Sequence, residues 1–421
     1  EHNKVEIKVM TEKVTVAHIQ NNFVDIIEDT NDSSDNTNNQ FYINVNISSN
    51  EVSEHIIKTQ PEDPFFIAND DDNFRKLSNN RYEATLNGEK FEFNVSVKDW
   101  STANNKANWT AVDVIQAPHM RYLLGDSEGT IKVFDKDYNL EREFENIHSS
   151  DITAAKFFPS SEVILSSSSD MQLKILSVED GSNPRTLIGH TASVTGSAIL
   201  GRGRNVLSSS KDGTLRLWEC GSGRNIYSFT RRENPADSIN SISVRADINT
   251  GPTDNSNVKG LEFETEGKTV FAGHSSGVIT VFDIYSKKQL LQLPSEFMSA
   301  CNSVSVDDKE YYNVVSGYEN GTIAIWDIRY PKNCISKGII KDRTPINTLL
   351  YEHNSIILST GCDTSMSLNV NSKTKKIDTD KPCFFVSDDA AVSSYSSFTD
   401  MKGINNLISV GRFGFCAGYQ L

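Results

Sequence analysis

VLSSSKDGTLRLWE (206–219) reads as an apolar strand, a small polar turn and a second apolar strand that closes on an indole. Outward from it, six further stretches follow the same pattern: YLLGDSEGTIKVFD (122–135), ILSSSSDMQLKILS (164–177), VFAGHSSGVITVFD (270–283), VVSGYENGTIAIWD (314–327), ILSTGCDTSMSLNV (357–370) and LISVGRFGFCAGYQ (407–420). The equivalent closing positions are Phe134, Leu176, Trp218, Phe282, Trp326, Asn369 and Tyr419, in steps of 42, 42, 64, 44, 43 and 50 residues. Repetition at about 40–45 residues marks four-stranded blades set radially around a channel. The sequence therefore predicts an all-β chain built on a seven-bladed β-propeller, a frame that usually serves as a binding surface rather than a catalyst.

Closure on Trp-Asp or a stand-in is the mark of WD-repeat propellers. Seven such blades take up about 300 residues, which divides the chain in three: residues 1–9 as an extension ahead of Met10, 10–100 as a small β-rich N-terminal domain, and 101–421 as the seven-bladed WD-repeat propeller. Blade three shows the plan best, with SVTGSAIL (193–200) innermost, then NVLSSS (205–210), GTLRLWE (213–219) and NIYSFT (225–230). The 64-residue step marks an insertion, VRADINTGPTDNSNVKGLEFE (244–264), with the composition of a loop between the first two strands of blade four. The last motif ends almost at the final residue, so blade seven needs an outer strand from elsewhere. A segment within 90–100 is expected to close the ring.

Ahead of the propeller, VTVAHI (14–19), FYINVN (41–46), PFFIA (64–68), RYEATL (81–86) and EKFEFNVSV (89–97) are strand candidates. Asn87-Gly88 supplies the positive φ of a tight hairpin turn, with Tyr82, Ala84 and Leu86 answered by Phe91, Phe93 and Val95. EDTNDSSDNTNNQ (28–40) is too polar to fold alone and reads as a loop. Asp70, Asp71 and Asp72 lack calcium-loop spacing and read as a solvated turn.

The chain carries 41 Lys and Arg against 56 Asp and Glu, a net charge of -15, and residues 1–100 hold 19 of the acidic but 9 of the basic side chains. Such an excess repels phosphate backbones and anionic lipid, which argues against nucleic acid and membrane surfaces and for a basic protein partner. Cys220, Cys301, Cys334, Cys362, Cys383 and Cys416 show neither CxxC nor zinc spacing and fit small, partly buried residues in a reducing compartment. No apolar run approaches the roughly 18 residues of a membrane span, and the N-terminus lacks the apolar core of a signal peptide. The expected compartments are cytoplasm and nucleus, and the Asn-X-Ser/Thr triplets at Asn31, Asn46, Asn94, Asn108 and Asn320 read as chance.

In blade three, His190, Ser208, Asp212 and Trp218 stand at the spacing of the WD-repeat structural tetrad. In that family indole, hydroxyl, imidazole and carboxylate form a buried hydrogen-bond chain that locks the blade. His148, Ser166 and Asp170 repeat the arrangement in blade two, where Leu176 replaces the indole. A Ser, a His and an Asp also invite a hydrolase reading, but catalysis needs an exposed nucleophile bonded to its base, and tetrad spacing explains these residues structurally. No GxxxxGK[ST], HExxH or GxSxG string is present, so no catalytic residue, metal ligand or cofactor is assigned. GRGR (201–204) reads as a strand-connecting turn rather than an anion site, and Trp100 and Trp109 as packing at the domain junction.

Blade geometry places the loops before each inner strand, and the turns between middle and third strands, on one narrow face. The residues preceding the tetrad Asp position are Ser127, Ser169, Lys211, Ser275, Glu319, Cys362 and Arg412. Asp388 and Asp389 precede the inner strand of blade seven, while Arg231, Arg232 and Glu233 precede that of blade four. From these, Asp388, Asp389, Glu319, Lys211, Arg231, Arg232 and Arg412 are the candidate partner-binding residues.

Several strings resemble the fungal WD-repeat chaperone family that assembles the base of the proteasome regulatory particle: KVTVAHIQ (13–20), FYINV (41–45), SSSSDMQLKI (166–175), DGSNPRTLIGH (180–190), GRGRNVLSSSKDGTLRLWECG (201–221), AGHSSGVITV (272–281), GYENG (317–321) and TPIN (344–347). The resemblance spans nearly the whole chain, though poorly at 28–40 and in the blade-four insertion. It implies a chaperone, monomeric on its own and without ATP hydrolysis, that binds the C-terminal domain of a proteasomal ATPase subunit among other base components. Asp388, Asp389 and Glu319 would then meet Lys and Arg of that domain. A scaffold or substrate receptor in another complex, such as a ubiquitin ligase, would share every propeller feature. An enzyme would need histidines and carboxylates converging on the channel, and His2, His18, His55, His119, His274 and His353 share no blade position.

Overall fold

Strand after strand of alternating burial runs through the computed structural model of the chain, which describes residues 9–32, 39–48, 51–61, 65–69, 72–100, 107–246, 260–307, 309–362, 364–387 and 390–421. In blade three, Val194–Leu200, Asn205–Ser210, Thr214–Glu219 and Arg224–Thr230 pair antiparallel in chain order. Its two middle strands lie between neighbouring blades, with Leu207, Leu215 and Leu217 fully buried, whereas the outer strand exposes most of its residues. That difference gives a near-continuous apolar run in the middle and alternation at the edge.

The same plan recurs from Trp109–Ile115 to Leu140–Phe144 (blade one), Ile152–Phe157 to Arg185–Ile188 (two), Ile239–Ala246 to Lys288–Leu293 (four), Cys301–Ser305 to Ser336–Ile339 (five) and Ile346–Glu352 to Cys383–Phe385 (six). Blade seven contributes Val392–Thr399, Asn405–Gly411 and Cys416–Gln420. Each inner strand packs on that of the next blade, and the inner strand of blade seven on that of blade one, so the seven sheets close a ring. Lys98–Asp99 supplies the outer strand of blade seven, pairing with Gly418 and Ala417. The ring is thus closed by the segment that the sequence required.

Register corrects one repeat. Trp218 pairs with Val206 and Trp326 with Val314, but in blade six it is Leu368 that pairs with Ile356. Asn369 points to solvent. The closing residue is therefore Leu368 rather than Asn369, because a one-residue slip would turn the apolar side chains of the strand outward.

The described residues of 11–99 add strands to three blades and build one further sheet. Thr11–Lys13 pairs parallel with Ser336–Ile339 on the edge of blade five. The hairpin Arg81–Leu86/Glu89–Asn94 joins blade six by parallel pairing of Glu89–Asn94 with Cys383–Phe385. Its turn has Asn87 at φ 52° and Gly88 at φ 82°, with Tyr82 opposite Phe93 and Ala84 opposite Phe91. Val16–Ile19, Asn39–Ser48, Glu51–Thr59 and Phe66–Ile67 form a separate sheet, flanked by a helix, Phe23–Asp32. Residues 28–32 of the expected loop thus belong to this helix, and 33–38 lie outside the described residues. The helix forms because Phe23, Ile27 and Thr30 make one buried stripe at helical spacing. Phe23, Phe41, Phe74, Tyr82 and Phe93 share one core with Val315 and Ile325 of blade five and Leu358 and Met366 of blade six. Sheet edges that would otherwise lie open are covered in this way.

The blade-four insertion falls between Ile239–Ala246 and Lys268–His274, as the spacing predicts. Its residues 247–259 lie outside the described residues. Its end folds back on GRGR, a turn with Gly201 and Gly203 at positive φ: the Arg204 guanidinium lies 3.3 Å from the Phe263 ring centroid, and Glu264 accepts from the Arg202 amide at 2.5 Å.

Candidate protein-interaction face

The blade-three residues singled out from sequence meet in one buried chain. Trp218 Nε1–H donates to Ser208 Oγ at 2.8 Å, Ser208 Oγ lies 2.7 Å from His190 Nε2, and His190 Nδ1 lies 2.9 Å from Asp212 Oδ2. A carboxylate only accepts, so Nδ1 carries the imidazole hydrogen, Nε2 accepts from the serine, and the serine accepts from the indole. Burial alone would raise the Asp212 pKa, but hydrogen bonds from His190, Thr214 and the amides of Thr191 and Thr214 hold it well below the carboxylate norm. Ser208 is fully buried and already engaged, which suits a lock and not a nucleophile. Blade two repeats the Ser166–His148–Asp170 part at 2.8 and 2.9 Å, with Leu176 buried where the indole would stand.

Two blades rebuild the network from other residues. In blade five Trp326 Nε1–H donates to Ser316 Oγ at 2.8 Å, and Ser316 lies 3.2 Å from the Tyr318 hydroxyl, which takes the place of the imidazole. In blade four His274 Nε2 meets Thr280 Oγ1 at 2.7 Å and Nδ1 the Asp237 carbonyl at 3.1 Å. The Asp237 carboxylate accepts from Arg231 at 2.6 Å and from Ser276 at 2.5 Å. Sequence spacing could not reveal these, since Tyr318 and His274 come from the middle strand and not from the preceding loop.

The narrow face is stitched by one recurring backbone bond. The amides of Ser127, Ser169, Lys211, Ser275, Glu319, Gly361 and Arg412 donate to the carbonyls of Asn108, Asp151, Ser193, Ser238, Ala300, Pro345 and Ala391, at 2.9 to 3.3 Å. Turn and preceding loop therefore emerge together in every blade. In blade six the position is held by Gly361, not Cys362, for the same one-residue reason as above.

Lys211, Glu319 and Arg412 stand exposed on this face. The Lys211 ammonium donates to Asn240; desolvation lowers its pKa, against the pull of Glu319. Arg231 is committed to Asp237, Ser276 and Gln292, and Arg232 bonds Gln289 through both amide and guanidinium. Both arginines thus brace the loop before blade four on that blade's outer strand. Asp388 and Asp389 lie outside the described residues.

Reading for charge missed the apolar points of the face. Met298 is 97% exposed and Phe413 81% exposed, both at positive φ, a conformation that costs energy in a residue with a side chain. Met298, Glu319, Asn320 and Arg343 line a shallow hollow of about 710 Å³. The signal was a large apolar residue, as in EFMSA and GRFG, standing in a turn.

One cluster elsewhere mimics a catalytic triad. His55 Nδ1 lies 2.6 Å from Asp72 Oδ2, and Ser53 Oγ 3.0 Å from His55 Nε2. Asn87 Nδ2 approaches the same Nε2 at 3.3 Å, so the lone pair that would activate the serine is shared, and the cluster clamps strand, loop and hairpin turn together. Asp72 is therefore an internal acceptor rather than a solvated turn residue, and Asp70 and Asp71 lie outside the described residues. Among the described residues no group of three or more His, Cys, Asp or Glu could hold a metal ion.

Family models match in two places: the F-box protein pof12 β-propeller over residues 160–283 and the WD domain, G-beta repeat over 141–177. The structure of U3-55K superposes with a TM-score of 0.61 at 11% identity, covering 77% of this chain and 98% of that one, which speaks for the fold. The pre-mRNA-processing factor 19 of Dictyostelium discoideum is 22% identical over 242 residues, covering 55% of this chain and 41% of that protein. The 26S proteasome regulatory subunit RPN14 of Saccharomyces cerevisiae is 44% identical over 418 residues, which cover 98% of this chain and 99% of that one. Identity of that extent reaches through the segment ahead of the ring as well as the blades, and the chain belongs to the family of WD-repeat, proteasome-associated proteins that includes this yeast subunit.

Proposed function

We propose that this protein is a non-catalytic assembly chaperone of the base of the 26S proteasome regulatory particle, binding the C-terminal domain of a proteasomal ATPase subunit. The observation that carries the reading is the 44% identity to a proteasome regulatory subunit along nearly the full length of both chains. The geometry supports it: polar networks are spent on locking blades, while the narrow face exposes the charged Lys211, Glu319 and Arg412 and the apolar Met298 and Phe413. Exposed apolar anchors on a face that also carries charge suit docking of a protein domain. Cytoplasm and nucleus are the proposed compartments.

The test is binding of the full chain to isolated ATPase C-terminal domains at low salt, with Glu319, Asp388 and Asp389 changed together to Lys. The expected result is one partner domain bound by the parent chain, binding that weakens as salt rises, and about a tenfold or greater loss in the triple variant. Unchanged affinity would remove these acids from the interface, and binding to no ATPase domain would overturn the reading. The match of residues 160–283 to an F-box protein's propeller favours a second reading, a scaffold or substrate receptor in another complex such as a ubiquitin ligase. Recovery of ligase subunits without ATPases from native extract would select it.

A further inference from the structure

A cavity of about 300 Å³ opens between blades one and seven, beside the turn joining the third and outer strands of blade one. Its walls are apolar, with Trp109, Leu124, Phe134 and Ile408 among them. The polar groups around it are chiefly donors. Trp100 Nε1–H is buried with no acceptor among the described residues. The Tyr122 and Tyr138 hydroxyls bond each other at 2.9 Å, which uses one hydrogen and leaves the second without an acceptor among the described residues. The Lys132 ammonium, also in the wall, has one carboxylate partner among the described residues, Glu143, at 3.0 Å, and further N–H groups to offer. The Trp100 ring centroid lies 4.3 Å from that of Tyr138 and 5.6 Å from that of Tyr122, so indole and phenols gather at one end.

An apolar pocket whose unmatched polar groups are donors is completed by a ligand that brings acceptors, and the lysine favours a negative charge. We propose that this cavity binds a small apolar monocarboxylate, an aryl or medium-chain acid. Its body packs on Trp109, Leu124 and Ile408, and its carboxylate accepts from the indole, the tyrosine pair and Lys132. The site lies apart from the narrow face and does not depend on the chaperone reading.

Trp100 and Trp109 both line the cavity, so intrinsic fluorescence reports occupancy. The full chain would be titrated with octanoate and, separately, with 1-octanol, which matches the body and lacks the charge. Octanoate is expected to change the emission saturably and to bind about tenfold or more tightly than octanol. The double change Tyr122→Phe with Tyr138→Phe, and separately Lys132→Met, should each weaken octanoate by about tenfold while leaving octanol unchanged. Absence of a saturable change, equal affinity for acid and alcohol, or undiminished octanoate binding in both variants would overturn the proposal. The comparison of acid with alcohol uses the parent chain and stands even if a variant fails to fold.

Discussion

Ser208 holds the polar lock of blade three together, because it is both the acceptor for Trp218 and the partner of His190. Ser208→Ala strands two groups in side chains that water does not reach, at about 1–3 kcal/mol each, so a loss of about 2–6 kcal/mol is expected in denaturant unfolding. Ser166→Ala should cost about half as much, since Leu176 brings no donor. Equal losses would mean that the indole bond adds nothing. Two histidines set a pH dependence. Burial holds His148 and His274 below the ordinary 6.5, against the pull of Asp170 and Asp237 respectively. The unfolded chain then binds protons that the folded chain refuses, so their contribution to stability is complete above about pH 6.5 and is lost as pH falls below it. The denaturant midpoint should drop between pH 7 and 5, and His274→Gln should make the drop shallower; an unchanged slope would deny His274 this role. Blade three's residues were legible because their spacing repeats a known lock. The substitute of blade four was not, because Arg231, Asp237 and Ser276 acquire a joint meaning only once loop and turn meet on the narrow face.

At the scale of elements, turn chemistry and strand period were the legible signals. Asn87-Gly88 announced its hairpin, and the same turn offers a measurement. Gly88 has φ 82° with open space around a built Cβ, so Gly88→Ala should cost only the left-handed backbone, about 1–2 kcal/mol. Gly213 has the same φ, but a Cβ there would lie 2.5 Å from the Pro235 carbonyl oxygen, so Gly213→Ala should cost more. Thermal unfolding of the two variants decides the order, and a smaller loss for Gly213→Ala would contradict it. The strand Glu51–Thr59 escaped notice because EVSEHIIKT buries a histidine and a threonine on its inner face, made acceptable by the clamp of His55 to Asp72 and the bond of Thr59 to the Thr30 hydroxyl. The helix Phe23–Asp32 escaped for a related reason: its polar side dominates the composition, and its buried stripe needs the sheet beneath it to be seen.

For the molecule as a whole, a repeat near 42 residues was enough to foresee seven sheets in a ring and a borrowed closing strand within 90–100, which the structure places at Lys98–Asp99. Periodicity is a local property, and each copy carries the strand pattern and turn of its own blade. Membership of the family was legible in loop strings such as DGSNPRTLIGH (180–190) and rests now on identity along the chain. What the tertiary structure alone decided is where side chains from distant segments meet. The strands Thr11–Lys13, Glu89–Asn94 and Lys98–Asp99 lie on the edges of blades five, six and seven; Arg231 is drawn inward to Asp237 and Ser276; Leu368 and not Asn369 closes blade six; and Trp100, Tyr122 and Tyr138 converge on one cavity. Closure of the ring brings together residues more than 300 positions apart, as in the bond from Asn94 to the Gln420 carbonyl.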